Sequence, residues 1–396
     1  MTLYLNALGL VNALGRGKKE VLHRFLNGDI SGIQSLPDVL VSGDPIPFGK
    51  VAAPLDDVPE QLRDIESRNL ALSLSALNEI KGDIEAAIKT YGSDRVAVVA
   101  ASSTAGIEEG EKALKHAQEN GDFPEGYCFE RQEMGSVGLS IATYFALSGP
   151  ALTLSTACSS SAKAFASAAR LINAGIVDAA IVGGADSFCR MTLNGFNALS
   201  ALSHKGCLPF SGNRDGTVLG EGAAFFLMTR QASEIALAGV GETSDAHNMT
   251  APHPEGSGAR SAMEAALSEA GLKAADMFYI NLHGTGTRLN DAAEAKAVES
   301  LFGADVPCSS TKALTGHMLG AAGATEVALC WLLMSDMNKD GVLPPHIWDG
   351  HIDEALPPFG LLTSQGTLKR GQTIWCMSNS YAFGGNNASV IIGKGV

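Results

Sequence analysis

The stretch A-L-T-L-S-T-A-C-S-S-S-A-K-A-F-A-S-A-A-R-L-I-N-A-G, residues 151–175, runs from a strand through a cysteine-bearing turn into a helix. Ala151–Ser155 is a short, mostly apolar run, as expected of a strand. From Ser160 to Ala174 the small residues Ala and Ser recur all round the helix, which predicts close packing on several sides. Gly175 is placed to end that helix as its left-handed C′ residue. Cys158 falls between the two elements. A thiol at a helix N-terminus feels the positive end of the dipole, which favours thiolate, and the free N–H groups there can hold a developing oxyanion. A buried structural cysteine is the competing reading of the same position.

Outward from this stretch the same alternation continues. Nearly continuous apolar runs at Val96–Ala101, Ala179–Gly183, Ala223–Met228, Met277–His283, Thr373–Ser378 and Ser389–Gly393 suit strands covered on both faces. Helical patterns occupy Arg68–Thr90, Gly258–Ala270, Ala292–Phe302 and Met318–Met337. The alternation predicts an α/β fold. A soft midpoint near Thr229–Gly239 divides the chain into residues 1–236 and 237–396, two halves of similar element order.

The composition narrows the function. The 396 residues are 45% hydrophobic and 18% charged, with 45 glycines and a net charge of −14. That balance describes a globular protein and disfavours binding to nucleic acid or an anionic membrane surface. No apolar run reaches membrane-spanning length, and the apolar N-terminus, without a basic region before it, reads as a first strand rather than a signal peptide. Seven irregularly spaced cysteines with no C-x-x-C fit neither a disulfide framework nor a zinc site, so a reducing, cytoplasmic setting is expected.

Two further polar loops stand at element ends, where α/β proteins place their chemistry. L-H-G-T-G-T, residues 282–287, presents His283, Thr285 and Thr287. S-S-T-K-A-L-T-G-H, residues 309–317, presents Lys312 and His317 before a Gly/Ala-rich helix. Asp291 and Glu294 lie at a helix start, where acids favour the dipole; either could instead pair with Lys312. His204, His247 and His253 share the polar-loop setting without its definition. Neither a zinc-protease helix nor a phosphate loop occurs. One cysteine with two histidines and a lysine exceeds what a cysteine protease needs.

In these residues the sequence resembles the elongating β-ketoacyl-acyl carrier protein synthases. T-A-C-S-S-S, H-G-T-G-T, S-T-K-A-L-T-G-H and N-S-Y-A-F-G-G-N-N from Asn379 follow in that family's order, and the likeness spans nearly the whole chain. The resemblance implies a thiolase-like fold: two similar βα halves in five layers, αβαβα, paired as a homodimer or as a heterodimer with a related subunit. It implies a decarboxylative Claisen condensation in fatty-acid or related polyketide or polyene synthesis. Cys158 would carry the acyl group, and His283 and His317 would stabilise the enolate of malonyl-carrier protein. It further implies a Lys312–Glu294 ion pair, an oxyanion hole from the N–H groups of Cys158 and Phe383, a gating role for the Phe383 ring, and pantetheine contacts from Thr285 and Thr287. No cofactor is implied, since the phosphopantetheine belongs to the carrier-protein substrate.

Leu208-Pro-Phe-Ser211 departs from the family's usual arginine-initiated segment, Ala382 stands where glycine is common, and Asn386-Asn387 replaces Thr-Asn. These departures suit a specialised substrate. A non-catalytic chain-length factor is disfavoured by the presence of Cys158, His283, Lys312 and His317 together. A degradative thiolase is disfavoured because the C-terminal region offers only Cys376, outside the gate motif. Arg63 and Arg68, with Arg131 or Lys115, are candidates for a basic patch that docks an acidic carrier protein; an ordinary solvated face is the alternative. Phe188, Met191, Phe196 and Met134 could line an acyl pocket, although core is the default for such residues.

Overall fold

The computed structural model describes residues 2–367 and 373–395. Its main sheet is built from two sets of five strands with one wiring. The first set is β1 (Leu3–Asn12), β2 (Val96–Ala101), β3 (Ala151–Leu154), β4 (Ala179–Asp186) and β5 (Gly222–Thr229). The second is β6 (Ile235–Ser244), β7 (Tyr279–Leu282), β8 (Cys308–Ser310), β9 (Ile374–Ala382) and β10 (Asn386–Lys394). Within each set the spatial order is first, fifth, fourth, second, third. The first–fifth and fifth–fourth pairs are antiparallel and the other two are parallel in both sets. The sets join where Leu3 and Tyr4 pair with Leu237 and Ala236.

The helices follow the same repetition. The helix after the third strand of each set, α2 (Ser160–Asn173) and α5 (Ala322–Met334), lies in the middle, and the two pack against each other. Their small residues are what permit this. The Ala324 N–H donates to Ser161 Oγ at 2.8 Å, and a Cβ at Gly323 would come within 2.9 Å of the Ala162 Cβ. Phe165, Val327, Ala328 and Leu332 belong to the central core that both sheet halves share. Outside the first half, α1 (Arg68–Leu77) and the helix Ser136–Tyr144 close a second core with Val96, Val98 and Phe225. Outside the second half, α3 (Ser257–Ala270) and α4 (Arg288–Phe302) close a third with Ile280, Met377 and Ile391. Three cores between five layers give the αβαβα arrangement of the thiolase-like fold.

Burial explains the sequence pattern. Every residue of β2, β4 and β5 is buried, so these strands read as continuous apolar runs rather than alternating ones. Gly175 has φ +69°, and the N–H of Ile176 reaches back to the Leu171 carbonyl, closing α2 as its sequence predicts. Two expected helices differ in detail. Arg68–Thr90 breaks into α1 and Lys81–Tyr91 across a 3₁₀ turn at Asn78–Ile80, and the run from Met318 begins with a 3₁₀ turn at Leu319–Ala321 before α5. Leu319 has φ +45°, and Asp186 accepts the Ala321 N–H at 2.9 Å, so the turn is pinned from β4. Among the described residues no helix is long and apolar enough to cross a membrane.

Candidate active site

The turn that carries Cys158 is closed by the serines that follow it. Ser159 Oγ donates to the Thr156 carbonyl, while Ser160 Oγ donates to the Ala157 carbonyl and accepts the Thr156 N–H. Ala157 is thereby held at φ +50°, a conformation costly for a residue with a Cβ. This turn brings the thiol to the base of a cavity of about 480 Å³, which is also lined by His283, His317, Thr285, Thr287, Tyr381 and Phe383. Residues dispersed along the chain from Cys158 to Phe383 thus meet in one chamber.

His317 Nε2 lies 2.9 Å from Cys158 Sγ. The two imidazoles meet edge to face, with ring centroids 5.4 Å apart. Burial, with the nearby Lys312 ammonium second, pushes His283 well below the usual histidine range, and the same two causes act on His317. Both rings are therefore neutral at physiological pH. Lys312 Nζ lies 3.3 Å from His283 Nδ1 and also donates to the His283 carbonyl. An ammonium only donates, so Nδ1 must accept and the ring proton sits on Nε2. His317 Nδ1 is buried without a partner among the described residues, so nothing comparable fixes its tautomer.

Two expectations need correction. Lys312 pairs with Glu326, at 2.5 Å, and not with Glu294 or Asp291. Glu294 is occupied, because its two oxygens accept the N–H groups of His283 and Gly284 at 2.8 and 2.7 Å. Asp291 is likewise engaged, with the N–H groups of Thr285, Gly286 and Phe210. Both carboxylates of α4 thus hold the histidine loop in shape. Glu326 had a signal in the sequence: it is the only charged residue in the otherwise apolar α5.

The second correction concerns the thiol. Cys158 precedes the N-cap Ser159, and burial pushes its pKa up to about 12, against the pull of Lys312. Desolvation outweighs the attraction of the Lys312 ammonium, so the resting group is a thiol beside a neutral imidazole.

The remaining residues fall into place by location. The Phe383 ring stacks on Phe196, with centroids 5.5 Å apart, and Gly384 and Gly385 follow at φ +79° and +73°. Thr285 and Thr287 share a hydroxyl contact of 3.0 Å on the cavity wall. Of the four apolar candidates only Phe196 lines this cavity. Phe188 packs on Phe48, Met134 packs on the second core, and Met191 is exposed. The Leu208–Ser211 segment is tied down by other means: Ser211 Oγ bonds Asp349, and Arg214 bonds Asp353. The Arg68 guanidinium, a docking candidate from the sequence, grips the buried Glu221 through two nitrogens, so its charge is already engaged within the fold. Arg63 pairs with Glu60 on the surface, Arg131 bonds the Asp64 carbonyl, and Lys115 faces Glu119.

Family models match both halves of the chain: the β-ketoacyl synthase N-terminal domain over residues 67–233 and the C-terminal domain over residues 235–348. This chain belongs to the β-ketoacyl synthase family. It is 29% identical to 3-oxoacyl-[acyl-carrier-protein] synthase 2 of Staphylococcus aureus, over 98% of this chain and 97% of that protein. It is 34% identical to nodulation protein E of Rhizobium meliloti, over 72% and 71%. Among solved structures, the ketosynthase ApeO in complex with its chain length factor ApeC from Xenorhabdus doucetiae aligns with a TM-score of 0.94 and 45% identity. That alignment covers 99% of this chain and 98% of that one. The chain is accordingly a condensing acyltransferase of fatty-acid or polyketide synthesis.

Proposed function

We propose that this synthase is a 3-oxoacyl-[acyl-carrier-protein] synthase that extends an acyl group on Cys158 by decarboxylative condensation with malonyl-carrier protein. The observation that carries the proposal is the 2.9 Å contact of Cys158 Sγ with His317 Nε2, in a chamber shared with the donor Nε2–H of His283.

In the first half-reaction Cys158 attacks the incoming thioester. Its proton passes to His317 and then to the departing pantetheine sulfur, so a thiol that burial keeps protonated is unmasked only when substrate is present. The tetrahedral oxyanion is assigned to the N–H groups of Cys158 and Phe383. In the second half-reaction the malonyl group loses CO₂. The electron pair left behind becomes an enolate, whose oxygen takes a hydrogen bond from the Nε2–H of His283 and a second from His317 once its unfixed tautomer carries the proton on Nε2. The enolate carbon then attacks the acyl carbonyl, and the Cys158 sulfur leaves as thiolate and takes up one proton from solvent, so the condensation consumes one proton per CO₂ released. Neutral imidazoles suit this chemistry, since each can present an N–H to developing charge from a buried position, where one such donor contributes roughly 100- to 1000-fold in rate. Lys312 and Glu326 position His283, and Glu294 holds its loop. Thr285 and Thr287 line the path of the pantetheine, and the Phe383 ring, braced by Phe196, separates the two half-reactions.

The reading extends to a specialised pathway and a paired, related subunit in the cytoplasm. Its support is the higher identity to ApeO, a ketosynthase solved with its chain length factor, than to the Staphylococcus aureus synthase. The test is product analysis with acyl- and malonyl-carrier proteins over a range of acyl lengths. One CO₂ and one 3-oxoacyl thioester two carbons longer are expected per turnover. Release of CO₂ without any condensed product would reject the reading.

A further inference from the structure

The catalytic cavity opens to solvent between apolar residues, Met249 at 77% and Leu289 at 65% exposure, and Arg288 stands beside them on its wall. Three side chains of fixed charge line the cavity: Asp215, Asp245 and Arg288. Asp245 is held by Asn387 Nδ2 and the His253 N–H, and Asp215 faces Lys205 at 3.6 Å. The Arg288 guanidinium has no hydrogen-bond or ion-pair partner among the described residues. The charge of Arg288 is felt by Asp353, but that carboxylate is already bonded to Arg214 at 2.5 Å. Helix stability does not account for the residue either. Arg288 is the first residue of α4, where a cation meets the positive end of the dipole. An unpartnered guanidinium at a helix start, on the mouth of a cavity in a chain of net charge −14, is a site prepared for an anion.

We propose that Arg288 binds the phosphodiester of the substrate's phosphopantetheine arm as the arm enters between Met249 and Leu289. The inference rests on the carrier-thioester reading above and adds a specificity-determining residue to it. The rest of the arm is uncharged, so the phosphate is its one fixed charge. Bidentate guanidinium contact at the mouth would set how far the thioester reaches toward Cys158. The adjacent N–H groups at the start of α4 can add to the same grip.

The test compares acylation of Cys158 by two free thioesters with the same acyl group, one on phosphopantetheine and one on pantetheine without phosphate. The wild-type enzyme should prefer the phosphorylated thioester in kcat/KM by roughly tenfold or more, the size of a charge-assisted contact, and chiefly through KM. Arg288→Gln should bring that preference close to one, and Arg288→Lys should restore part of it. The proposal is overturned if the preference survives in Arg288→Gln. It is equally overturned if the variant is impaired only with intact carrier protein, which would place the contact on the carrier surface instead. Wild-type enzyme that acylates Cys158 with neither thioester but does so with carrier protein would overturn this inference and leave the synthase reading standing. Failure with all three substrates would remove both.

Discussion

Lys312 Nζ lies 3.3 Å from Nδ1 of His283, and this contact decides which nitrogen of the ring faces the cavity as a donor. The same ammonium is neutralised by Glu326 at 2.5 Å, in a setting where both side chains are almost fully buried. Position and stability are therefore two separable roles of one residue. Lys312→Ala leaves Glu326 buried and unpaired, and should cost about 3–5 kcal/mol in urea unfolding. The double variant Lys312→Met, Glu326→Leu removes both charges and should recover much of that stability. It should not recover decarboxylation of malonyl thioester, because His283 no longer has its tautomer fixed.

His283 and His317 differ in their relation to the sulfur, and the two half-reactions should separate accordingly. His283→Ala is expected to slow CO₂ release roughly 100- to 1000-fold while the acyl adduct on Cys158 still forms. His317→Ala should impair both steps, since its Nε2 touches the thiol. Equal loss of adduct formation in both variants, measured by quenched-flow mass analysis, would contradict this division.

The raised Cys158 pKa sets a pH profile. An unperturbed thiol near about 8.5 would titrate within the working range. With the pKa pushed up to about 12, the thiolate fraction of Cys158 climbs about tenfold per pH unit from roughly pH 7 to 10 without levelling. Inactivation by iodoacetamide should therefore rise with unit slope across that window. Lys312 pulls the pKa down, so Lys312→Met should react more slowly at every pH. A plateau near about pH 8.5 would show that desolvation does not dominate.

Arg68 belongs to the folding of the first half. Glu221, buried at its tip, accepts Arg68 Nε and Nη2 together with the Val51 N–H. Arg68→Met should lower stability by roughly 3 kcal/mol, because a buried carboxylate loses its counterion. Once folded at lower temperature, the variant should show an unaltered apparent affinity for carrier protein.

Much of this was legible in the sequence, and the limits have physical causes. The strand at Val96–Ala101 and the helix after Cys158 stood out because full burial leaves continuous apolar or small-residue runs. The grouping of Cys158, His283, Lys312 and His317 was legible because each sits at an element end flanked by Gly, Thr or Ser. The Glu326 partnership was not, because spacing along a chain carries no distance across layers, and Glu294 stood nearer to His283 in sequence. The state of the thiol was hidden for a related reason: a helix terminus is a local feature, whereas the desolvation that opposes it comes from residues throughout the chain. Arg288 follows directly on the H-G-T-G-T motif, yet only the open cavity and the missing counterion mark it out.

The acyl-accepting role of Cys158 is tested most directly by intact-protein and peptide mass spectrometry after incubation with an acyl-carrier protein in the absence of malonyl thioester. One acyl group per chain is expected, located on the peptide containing Cys158 and absent from Cys158→Ala. An unmodified chain, or an acyl group on any of the other six cysteines, would contradict that role.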